Sequence, residues 1–408
     1  MTARTYPGIS STRPRDEFRR WIFIGLLALA AVLRIGYAVH LHRGTGGRNI
    51  DFWDSEGYDR MGQRWLDTGA FSDETGKPMT DREPFLPLVL AATHAVLGRS
   101  YVVAVGLNVA LGVLACWLVY LFTARLLDER SALWALAFAA IYPEWIYYGA
   151  FVYRETLLAV LTLWWLYLFA KDGSYALMGL IFGAICVTRS PYIPIGGIFV
   201  LLVRSKKIIP FIVCATLVNG IWIARNYRVT RRFVAGASMG GLTMYMGLLK
   251  DYDKPEEAIE EKLYHTNDPV LAEALRAPTA AAADHVYYAA CRRIMVERPK
   301  LFWGAFLRKA AKLWRLYPSP NREYKHGFSA LKWIGLLSNG PVFLLALLGA
   351  WLSFKRRIPI EFMASIPLVM TLIFAAYWST TRYRAPLMSC LFPLAGLAVA
   401  SRREIGFH

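Results

Sequence analysis

The amino-acid sequence predicts an all-α protein that crosses a membrane several times. Of its 408 residues, 56% are hydrophobic, and the mean hydropathy of the chain is +0.34. The apolar residues come in long blocks and not in amphipathic stripes, which is typical of membrane spans. Because lipid cannot hydrogen-bond an open sheet edge, the predicted architecture is a bundle of helices.

The first apolar block, residues 21–40, follows a segment with five arginines in residues 1–20. No convincing small-residue cleavage site follows the block, so we expect an uncleaved first span and not a signal peptide. The basic flank places the N-terminal tail in the cytoplasm. Residues 41–100 then form an external loop, and its apolar stretch at 84–98 is too short to span, so we expect a helix in the membrane interface.

Apolar blocks alternate with short loops through residue 225 and again from residue 331, which makes about ten spans with both termini in the cytoplasm. Every inner loop in this count carries Lys or Arg, as the positive-inside rule requires. The formal net charge of +18 therefore indicates membrane topology and not nucleic-acid binding. The five cysteines are scattered without metal-ligand spacing and are expected to be small buried hydrophobes.

No span is possible between residues 226 and 330, which predicts an external helical domain on the periplasmic side. Within it we expect a helical run at 255–276 and an amphipathic helix at 300–315 suited to a membrane surface, with Lys312 on its polar side. The predicted organisation is a cytoplasmic tail (1–20), a transmembrane module that includes the external loop (21–225), the external domain (226–330) and C-terminal transmembrane helices (331–408).

Charged residues gather at the external ends of the predicted spans. Ionisable groups at membrane depth are costly and usually pair with one another or mark a functional site. A polar cavity on the external face is therefore expected. The residues are Asp51, Asp54, Glu56, Asp59, Arg82, Glu83, Glu144, Arg154, Glu155, Arg189, Arg225, Arg228, Arg382 and Arg384.

The chemistry that suits these groups is attack of a hydroxyl on an activated sugar. A hydroxyl is a poor nucleophile, so a positioned carboxylate must take its proton, and Asp54 suits that role. A phosphate leaving group develops charge that guanidinium groups stabilise. Candidates for this second role are Arg189, Arg225, Arg382 and Arg384.

Simpler interpretations stay open for several of these residues. Asp51 and Asp59 are ordinary solvated loop acids in one interpretation, and Glu144 and Glu155 only neutralise Arg154 in another. A divalent cation is a further option, although the spacing of the candidate ligands matches no specific metal site. Those ligands are His40, His42, Asp51 and Asp54.

Short motifs recur in order along nearly the whole chain. They are Asp54-Ser55 with Tyr58, Arg82-Glu83-Pro84-Phe85-Leu86-Pro87, Pro143 with Glu155-Thr156-Leu157, Thr188-Arg189-Ser190-Pro191, Trp222-Ile223-Ala224-Arg225-Asn226-Tyr227 before Gly240-Gly241, Pro299 with Lys309 and Trp314, and Arg382-Tyr383-Arg384-Ala385-Pro386. In this order they resemble the motifs of GT-C glycosyltransferases, on the branch of protein mannosyltransferase-like and aminoarabinose transferase-like enzymes. Glu83 departs from the family pattern, where Pro or a neutral residue is common, and Ser190 is inserted into a Thr-Arg-Pro turn.

The resemblance implies an inverting sugar transfer from a polyprenyl-phosphate donor to a hydroxyl of a lipid, glycan or protein, on the external face of the inner or plasma membrane. It makes Asp54 the general base and Arg225 and Arg382 donor-phosphate ligands. Glu155 is implied to be a second acid that either supports the residues in contact with the substrates or positions the acceptor. No cofactor is expected to be required. Supporting roles fall to Asp51, Tyr58, Arg82 and Glu144.

Two other functional classes fit the same pattern of charges. One is a transporter or flippase of a lipid-linked sugar, although no internal repeat is visible. The other is a lipid-linked oligosaccharide ligase or polymerase. The dense acidic cluster in the first external loop favours the transferase.

Overall fold

The computed structural model describes residues 14–44, 53–249, 268–318 and 328–401. Within these ranges the backbone is helical and has no strands beyond one isolated bridge between Ser72 and Pro78. The α-helices in chain order are α1 (Pro14–Gly44), α2 (Trp53–Thr68), α3 (Phe85–Leu97), α4 (Tyr101–Leu126), α5 (Glu129–Ile141), α6 (Pro143–Gly149), α7 (Arg154–Ala170), α8 (Tyr175–Thr188), α9 (Ile193–Val203), α10 (Ile208–Thr230), α11 (Gly240–Met246), α12 (Pro269–Leu275), α13 (Ala280–Glu297), α14 (Pro299–Leu313), α15 (Phe328–Lys355), α16 (Glu361–Ala376) and α17 (Met388–Ala400). Two 3-10 helices, Ser190–Tyr192 and Thr381–Leu387, precede α9 and α17.

The described part of the chain has five helices that are long and apolar enough to cross a membrane. A sixth span results if the bent pair α6–α7 is taken as one. The predicted all-helical, multi-pass bundle is therefore confirmed. The count of about ten spans stays a prediction, because it requires shorter helices to cross as well. The five long segments are Glu17–Gly44, Tyr101–Leu126, Ile208–Thr230, Ser329–Lys355 and Thr381–Ala400.

The centre of the bundle is an aromatic cluster around Trp165 of α7, a residue that is 1% exposed. Four phenylalanines lie at ring-centroid distances between 4.8 and 6.1 Å from this indole. Aromatic pairs at such distances contribute packing energy beyond the burial of their area. Because they come from four different helices, they fix α8, α9, α10 and α16 against α7. They are Phe182, Phe199, Phe211 and Phe362.

A sharp bend between α6 and α7 places the start of α7 at one end of the bundle. The two helices meet at 118°. Buried Asn108 of α4 donates its side-chain amide to the carbonyls of Phe151 and Tyr153 in the break. Such a donor satisfies backbone oxygens that the interrupted helix leaves unpaired. The bend therefore brings the polar first turn of α7, which begins at Arg154, to the end where the cavity described below opens.

Helices α11 to α14 share a small apolar core of their own, to which Tyr245, Leu271, Tyr287 and Phe302 contribute. We call these helices the α11–α14 unit. They lie within the predicted external domain, and they confirm neither its boundaries nor its side of the membrane. Much of the predicted helical run at 255–276 lies outside the described residues, and only Pro269–Leu275 is seen as helix.

The amphipathic helix predicted at 300–315 is present as α14, but its faces differ from the prediction. Lys312 is only 6% exposed, and its ammonium group lies 5.7 Å from the ring centroid of Trp378. Lys309 is also buried. The prediction of Lys312 on the polar side was wrong. The side of α14 that carries Lys309 and Lys312 packs against the segment that follows α16. Sequence periodicity does not reveal this contact between distant segments.

Candidate active site

A cavity of about 550 Å³ opens between the first turns of α2 and α7, the two 3-10 helices and the α11–α14 unit. Three parts of its lining differ in chemistry. The charged part consists of Asp54, Asp81, Arg82, Glu83, Arg154, Arg189 and Arg382, with Tyr58 beside them. The apolar part consists of Ile193, Pro194, Ile373 and Phe374. The aromatic part consists of Asp284, His285, Tyr288, Tyr377 and Trp378.

Asp54 lies in the first turn of α2, where both of its carboxylate oxygens are held by arginines. Arg82 donates to one oxygen at 2.6 Å, and Arg382 donates to the other at 2.6 Å. Burial alone would raise the pKa of Asp54, but the positive charges of Arg382 and Arg82 outweigh it and hold that pKa well below its usual range. Asp54 is therefore ionised at neutral pH.

The first turns of α2 also explain how Arg82 reaches Asp54. Gly57 has no side chain, and a Cβ built there would lie 2.7 Å from the Arg82 guanidinium, so the arginine crosses α2 at this glycine. The ring of Tyr58 contacts two arginines, because the guanidinium carbons of Arg82 and Arg154 lie 5.2 and 5.8 Å from its centroid. Burial raises the pKa of Tyr58 to about 12, so the phenol stays neutral.

Glu155, in the first turn of α7, ties two arginines together from behind the cavity. Its buried carboxylate pairs with Arg382 at 3.2 Å and with Arg189 at 3.3 Å. The Arg189 guanidinium also stacks 3.8 Å from the ring centroid of Tyr383. Glu155 does not line the cavity itself. The geometry makes it a positioning residue for the two arginines, as expected of a supporting acid, and the acceptor-positioning role stays a prediction.

The two positions that depart from the family motifs contact each other. Glu83 accepts hydrogen bonds from the backbone N–H and the hydroxyl of Ser190 at 3.0 and 2.9 Å. Its other oxygen accepts from Arg154 at 2.6 Å. Glu83 is 4% exposed, so this carboxylate is both buried and fully partnered. The unusual acid and the inserted serine are one structural feature.

The aromatic part of the cavity depends on the close approach of α11 and α13. A Cβ at Gly240 would lie 2.1 Å from the Tyr288 hydroxyl, and a Cβ at Gly241 would lie 2.3 Å from the Asp284 carbonyl oxygen. Asp284 Oδ1 accepts hydrogen bonds from the backbone N–H groups of Gly241 and Leu242. Its burial raises the pKa of Asp284 above the usual value. The Gly-Gly pair therefore brings a fixed carboxylate and a phenol to the cavity.

Comparison with known proteins identifies the fold. Residues 78–224 match the family model of dolichyl-phosphate-mannose-protein mannosyltransferases. The oligosaccharyltransferase of Archaeoglobus fulgidus, solved in complex with Zn and sulfate, superposes with a TM-score of 0.55 at 16% identity, over 94% of this chain and 50% of that one. The chain has a GT-C fold with a protein mannosyltransferase-like segment.

Other comparisons set the extent of this likeness. The same oligosaccharyltransferase tethered to an acceptor peptide gives a TM-score of 0.54 at 14% identity, over 96% of this chain and 50% of that one. ArnT from Cupriavidus metallidurans bound to undecaprenyl phosphate gives 0.44 at 14% identity, over 95% and 79% of the two chains. This GT-C chain spans about half the length of the oligosaccharyltransferase. No curated protein sequence matches it significantly.

Two of the predicted phosphate ligands lie outside the cavity of this GT-C bundle. Arg225 donates to the carbonyls of Phe71 and Met79 at 2.6 Å each, which secures the first loop. Arg384 is fully buried and contacts Glu144. Neither arginine lines the cavity, and their donors serve backbone carbonyls and a buried acid, so the phosphate role of both stays a prediction that this geometry does not favour.

Some of the remaining predicted residues line the cavity and others lie outside it. Arg82, Arg189 and Arg382 line the charged part with Asp54 and Tyr58. Glu144 accepts from Arg384 and lies outside the cavity, so it supports the bundle and not the site. Asp51 falls outside the described residues.

Three groups in the cavity were not among the predicted site residues. Arg154 and Glu83 stood among the charges expected on the external face, but nothing in the sequence showed that they pair. In the sequence, only the Gly240-Gly241 motif indicated the aromatic part. Asp284 and Tyr288, which this motif brings to the cavity, follow more than forty positions later, so no local pattern connects them to it.

Within the described ranges, no three His, Cys, Asp or Glu side chains are grouped closely enough to hold a metal ion. The cation site considered for His40, His42, Asp51 and Asp54 involves one acid outside those ranges. The oxygens of Asp54 are both occupied by arginines. Metal independence remains an expectation.

Proposed function

We propose that this chain is an integral membrane glycosyltransferase that moves a sugar from a polyprenyl-phosphate donor to a hydroxyl acceptor. The observation that carries the proposal is the carboxylate of Asp54 held between Arg82 and Arg382 in one cavity. The match of residues 78–224 to a family named for a dolichyl-phosphate-linked sugar supports the class of donor. In this proposal no cofactor is required.

The charged part of the cavity suits the donor phosphate. Guanidinium groups bind phosphate oxygens through charge-assisted, often bidentate hydrogen bonds. As the bond between the anomeric carbon and the phosphate oxygen breaks, negative charge grows on the leaving phosphate, and fixed cations nearby stabilise it. Arg382 and Arg82 are best placed, with Arg154 and Arg189 beside them.

The apolar part suits the first isoprene units of the donor. Ile193 and Pro194 come from the start of α9, and Ile373 and Phe374 come from the end of α16. Ile193 is 40% exposed. Burying a polyprenyl chain against such a surface contributes roughly 25 cal/mol per Å² of apolar area. The arginines beside these apolar residues would bind the phosphate at the end of the polyprenyl chain.

Asp54 acts as the base after the donor has rearranged the arginines. In the structure both carboxylate oxygens are engaged, so an acceptor hydroxyl must replace one guanidinium. The donor phosphate competes for Arg82 and Arg382 and thereby frees an oxygen. The hydroxyl oxygen then bonds to the anomeric carbon, the carbon–phosphate-oxygen bond breaks, and the proton passes to Asp54. A single displacement of this kind inverts the anomeric configuration.

The active site faces the external side in this proposal. The loops that follow α7 and α9 lie at the end of the bundle away from the cavity and contain Lys171 in the first case and Arg204, Lys206 and Lys207 in the second. The positive-inside rule places loops that carry Lys or Arg in the cytoplasm. The cavity then opens outside, where the α11–α14 unit covers it. Both chain termini are placed in the cytoplasm by the same rule.

Asp54→Asn tests the proposal. We expect transfer of label from radiolabelled polyprenyl-phosphate sugars to fall by at least about a hundredfold, the scale of a lost general base. Donor binding should be kept or tightened, because Arg82 and Arg382 are freed from the carboxylate. The measurement is transfer and equilibrium donor binding in membranes and in purified protein.

Glu56→Gln is the matched control, because Glu56 lies in the same helical turn and, among the described residues, pairs with exposed Arg60 at 3.5 Å. It should transfer at the wild-type rate. Near-wild-type turnover by Asp54→Asn would show that another group is the base. Labelled lipid that crosses the bilayer without transfer would favour the flippase.

A further inference from the structure

The proposed function assigns two of the three parts of the cavity. The phosphate of the donor occupies the charged part, and its lipid chain lies against the apolar part. The aromatic part has no role in that account, although it includes a carboxylate, a histidine, two phenols and an indole. Its residues come from α13 and from the segment after α16, which are far from α2 and α7 in sequence.

We propose that the aromatic part binds a sugar ring of the acceptor, so that the acceptor is a glycan or glycolipid and not a protein side chain. This inference rests on the proposed function. Sugar rings offer several hydroxyl groups around an edge and C–H groups on their faces. A matching site combines oxygen acceptors and donors with aromatic rings, and this combination lines the cavity here.

The polar groups of the aromatic part are oriented before any ligand arrives. Two backbone N–H groups hold Asp284 Oδ1, at 2.6 Å from Gly241 and 3.3 Å from Leu242. A carboxylate fixed through one oxygen presents the other to hydroxyl donors in a constant direction. Preorganised groups bind with less loss of conformational entropy than mobile ones.

The two tyrosines form a corner. Their rings lie 6.3 Å apart at 85°, and the Tyr288 hydroxyl donates to the Tyr377 hydroxyl at 3.4 Å. This arrangement gives an aromatic face next to a pair of phenol oxygens. Gly240 makes the corner feasible, because any side chain there would occupy the position of the Tyr288 hydroxyl.

A peptide acceptor suits this surface less well. One common mode of recognising an extended peptide adds it as a strand, through free backbone N–H and C=O groups of the partner. The backbone N–H groups of Gly241 and Leu242 beside the cavity are already bound by Asp284. Within the aromatic part itself, the lining consists of side-chain oxygens, an imidazole and aromatic rings, which suit a polyhydroxylated ring.

Direct binding of simple sugars tests the site without turnover. The probes are methyl glycosides of glucose, galactose, mannose and arabinose, and the readout is saturation-transfer NMR with the full chain in lipid nanodiscs. We expect at least one glycoside to bind saturably. Tyr288→Phe, which keeps the ring, and Asp284→Asn should each weaken binding about three- to tenfold, as for a lost hydrogen bond.

Tyr245→Phe is the matched control, because Tyr245 lies in the same unit but bonds Asp268 at 2.8 Å outside the cavity. It should bind sugar as the wild type does. Absence of saturable binding by every glycoside, or equal binding in all three variants, would overturn the inference.

A transfer assay separates the inference from the proposed function. With a labelled polyprenyl-phosphate sugar, Tyr288→Phe should raise the KM for an acceptor glycoside and leave the KM for the donor unchanged. Label moving only to a serine- or threonine-containing peptide, or a change confined to the donor KM, would overturn the sugar-acceptor site and keep the transferase. No turnover of any donor by the wild type would contradict the proposed function, and the binding result would still decide the sugar site.

Discussion

At Glu83, a single carboxylate accepts hydrogen bonds from the backbone and the side chain of Ser190 and from Arg154. A buried acid is costly unless each oxygen is paired, and here both are. Glu83 also neutralises an arginine that would otherwise add to the positive charge facing the donor. The acid and the serine therefore depend on each other.

A double-mutant cycle measures this dependence. Glu83→Gln and Ser190→Ala should each lower thermal stability, and the double variant should lose less than the sum of the two. We expect a coupling of about 0.5–3 kcal/mol, as for residues in one hydrogen-bond network. The measurement is thermal unfolding of the purified variants in one detergent.

The exposed ion pair between Asp67 and Arg99, at 2.5 Å, provides the control cycle. Its coupling should be near zero, because exposed pairs contribute little. If the stability losses of Glu83→Gln and Ser190→Ala simply added in the double variant, the contact between the two residues would contribute nothing to stability.

Helix α14 is joined to the end of α16 by one buried lysine. The Lys309 ammonium group donates to the carbonyls of Ala376 and Tyr377 at 2.9 Å each. Carbonyls at the last turn of a helix have no partner within the helix, so an amine that reaches them stabilises the end. Because Tyr377 and Trp378 follow directly, Lys309 also fixes part of the cavity wall.

The pH dependence of stability should report on Lys309. Burial lowers the pKa of Lys309 to about 8, whereas a lysine in the unfolded chain has a pKa of about 10.4. Between these values the unfolded chain binds more protons than the folded protein, so the stability attributable to Lys309 rises with pH from about 8 to about 10.4 and is constant below about pH 8. Lys309→Met should remove this rise, as seen in unfolding temperatures measured from pH 7 to 10.5.

Lys300→Met, on the exposed side of the same helix, is the control and should keep the wild-type pH profile. If Lys309→Met showed the same slope as the wild type, the titrating group would lie elsewhere.

At the scale of the whole molecule, the two ends of the bundle carry different features. The cavity and the α11–α14 unit lie at one end. At the other end, Lys207 and Asp172 pair at 3.5 Å between the loops after α9 and α7, and both side chains are exposed. The distribution of Lys and Arg among such loops predicts the orientation.

Cysteine labelling in intact cells tests that orientation. A membrane-impermeant maleimide should label Phe233→Cys, at a loop residue that is 72% exposed beside the cavity, and should leave Lys206→Cys unlabelled until the membrane is permeabilised. The parent chain gives the background, since four of its cysteines are buried and Cys214 is half-buried. The opposite pattern would place the cavity in the cytoplasm.

The sequence by itself determined the helical membrane bundle and the class of fold, and it predicted a catalytic role for Asp54. These properties are local, because a membrane span depends on the length of one apolar block and a motif depends on neighbouring residues. The tertiary structure alone decided which arginines face the cavity. Arg382 and Arg384 are two positions apart, yet one pairs with Asp54, 328 residues away in sequence, and the other with Glu144. The function of a guanidinium depends on the acceptors within about 3 Å, and only folding brings those acceptors together.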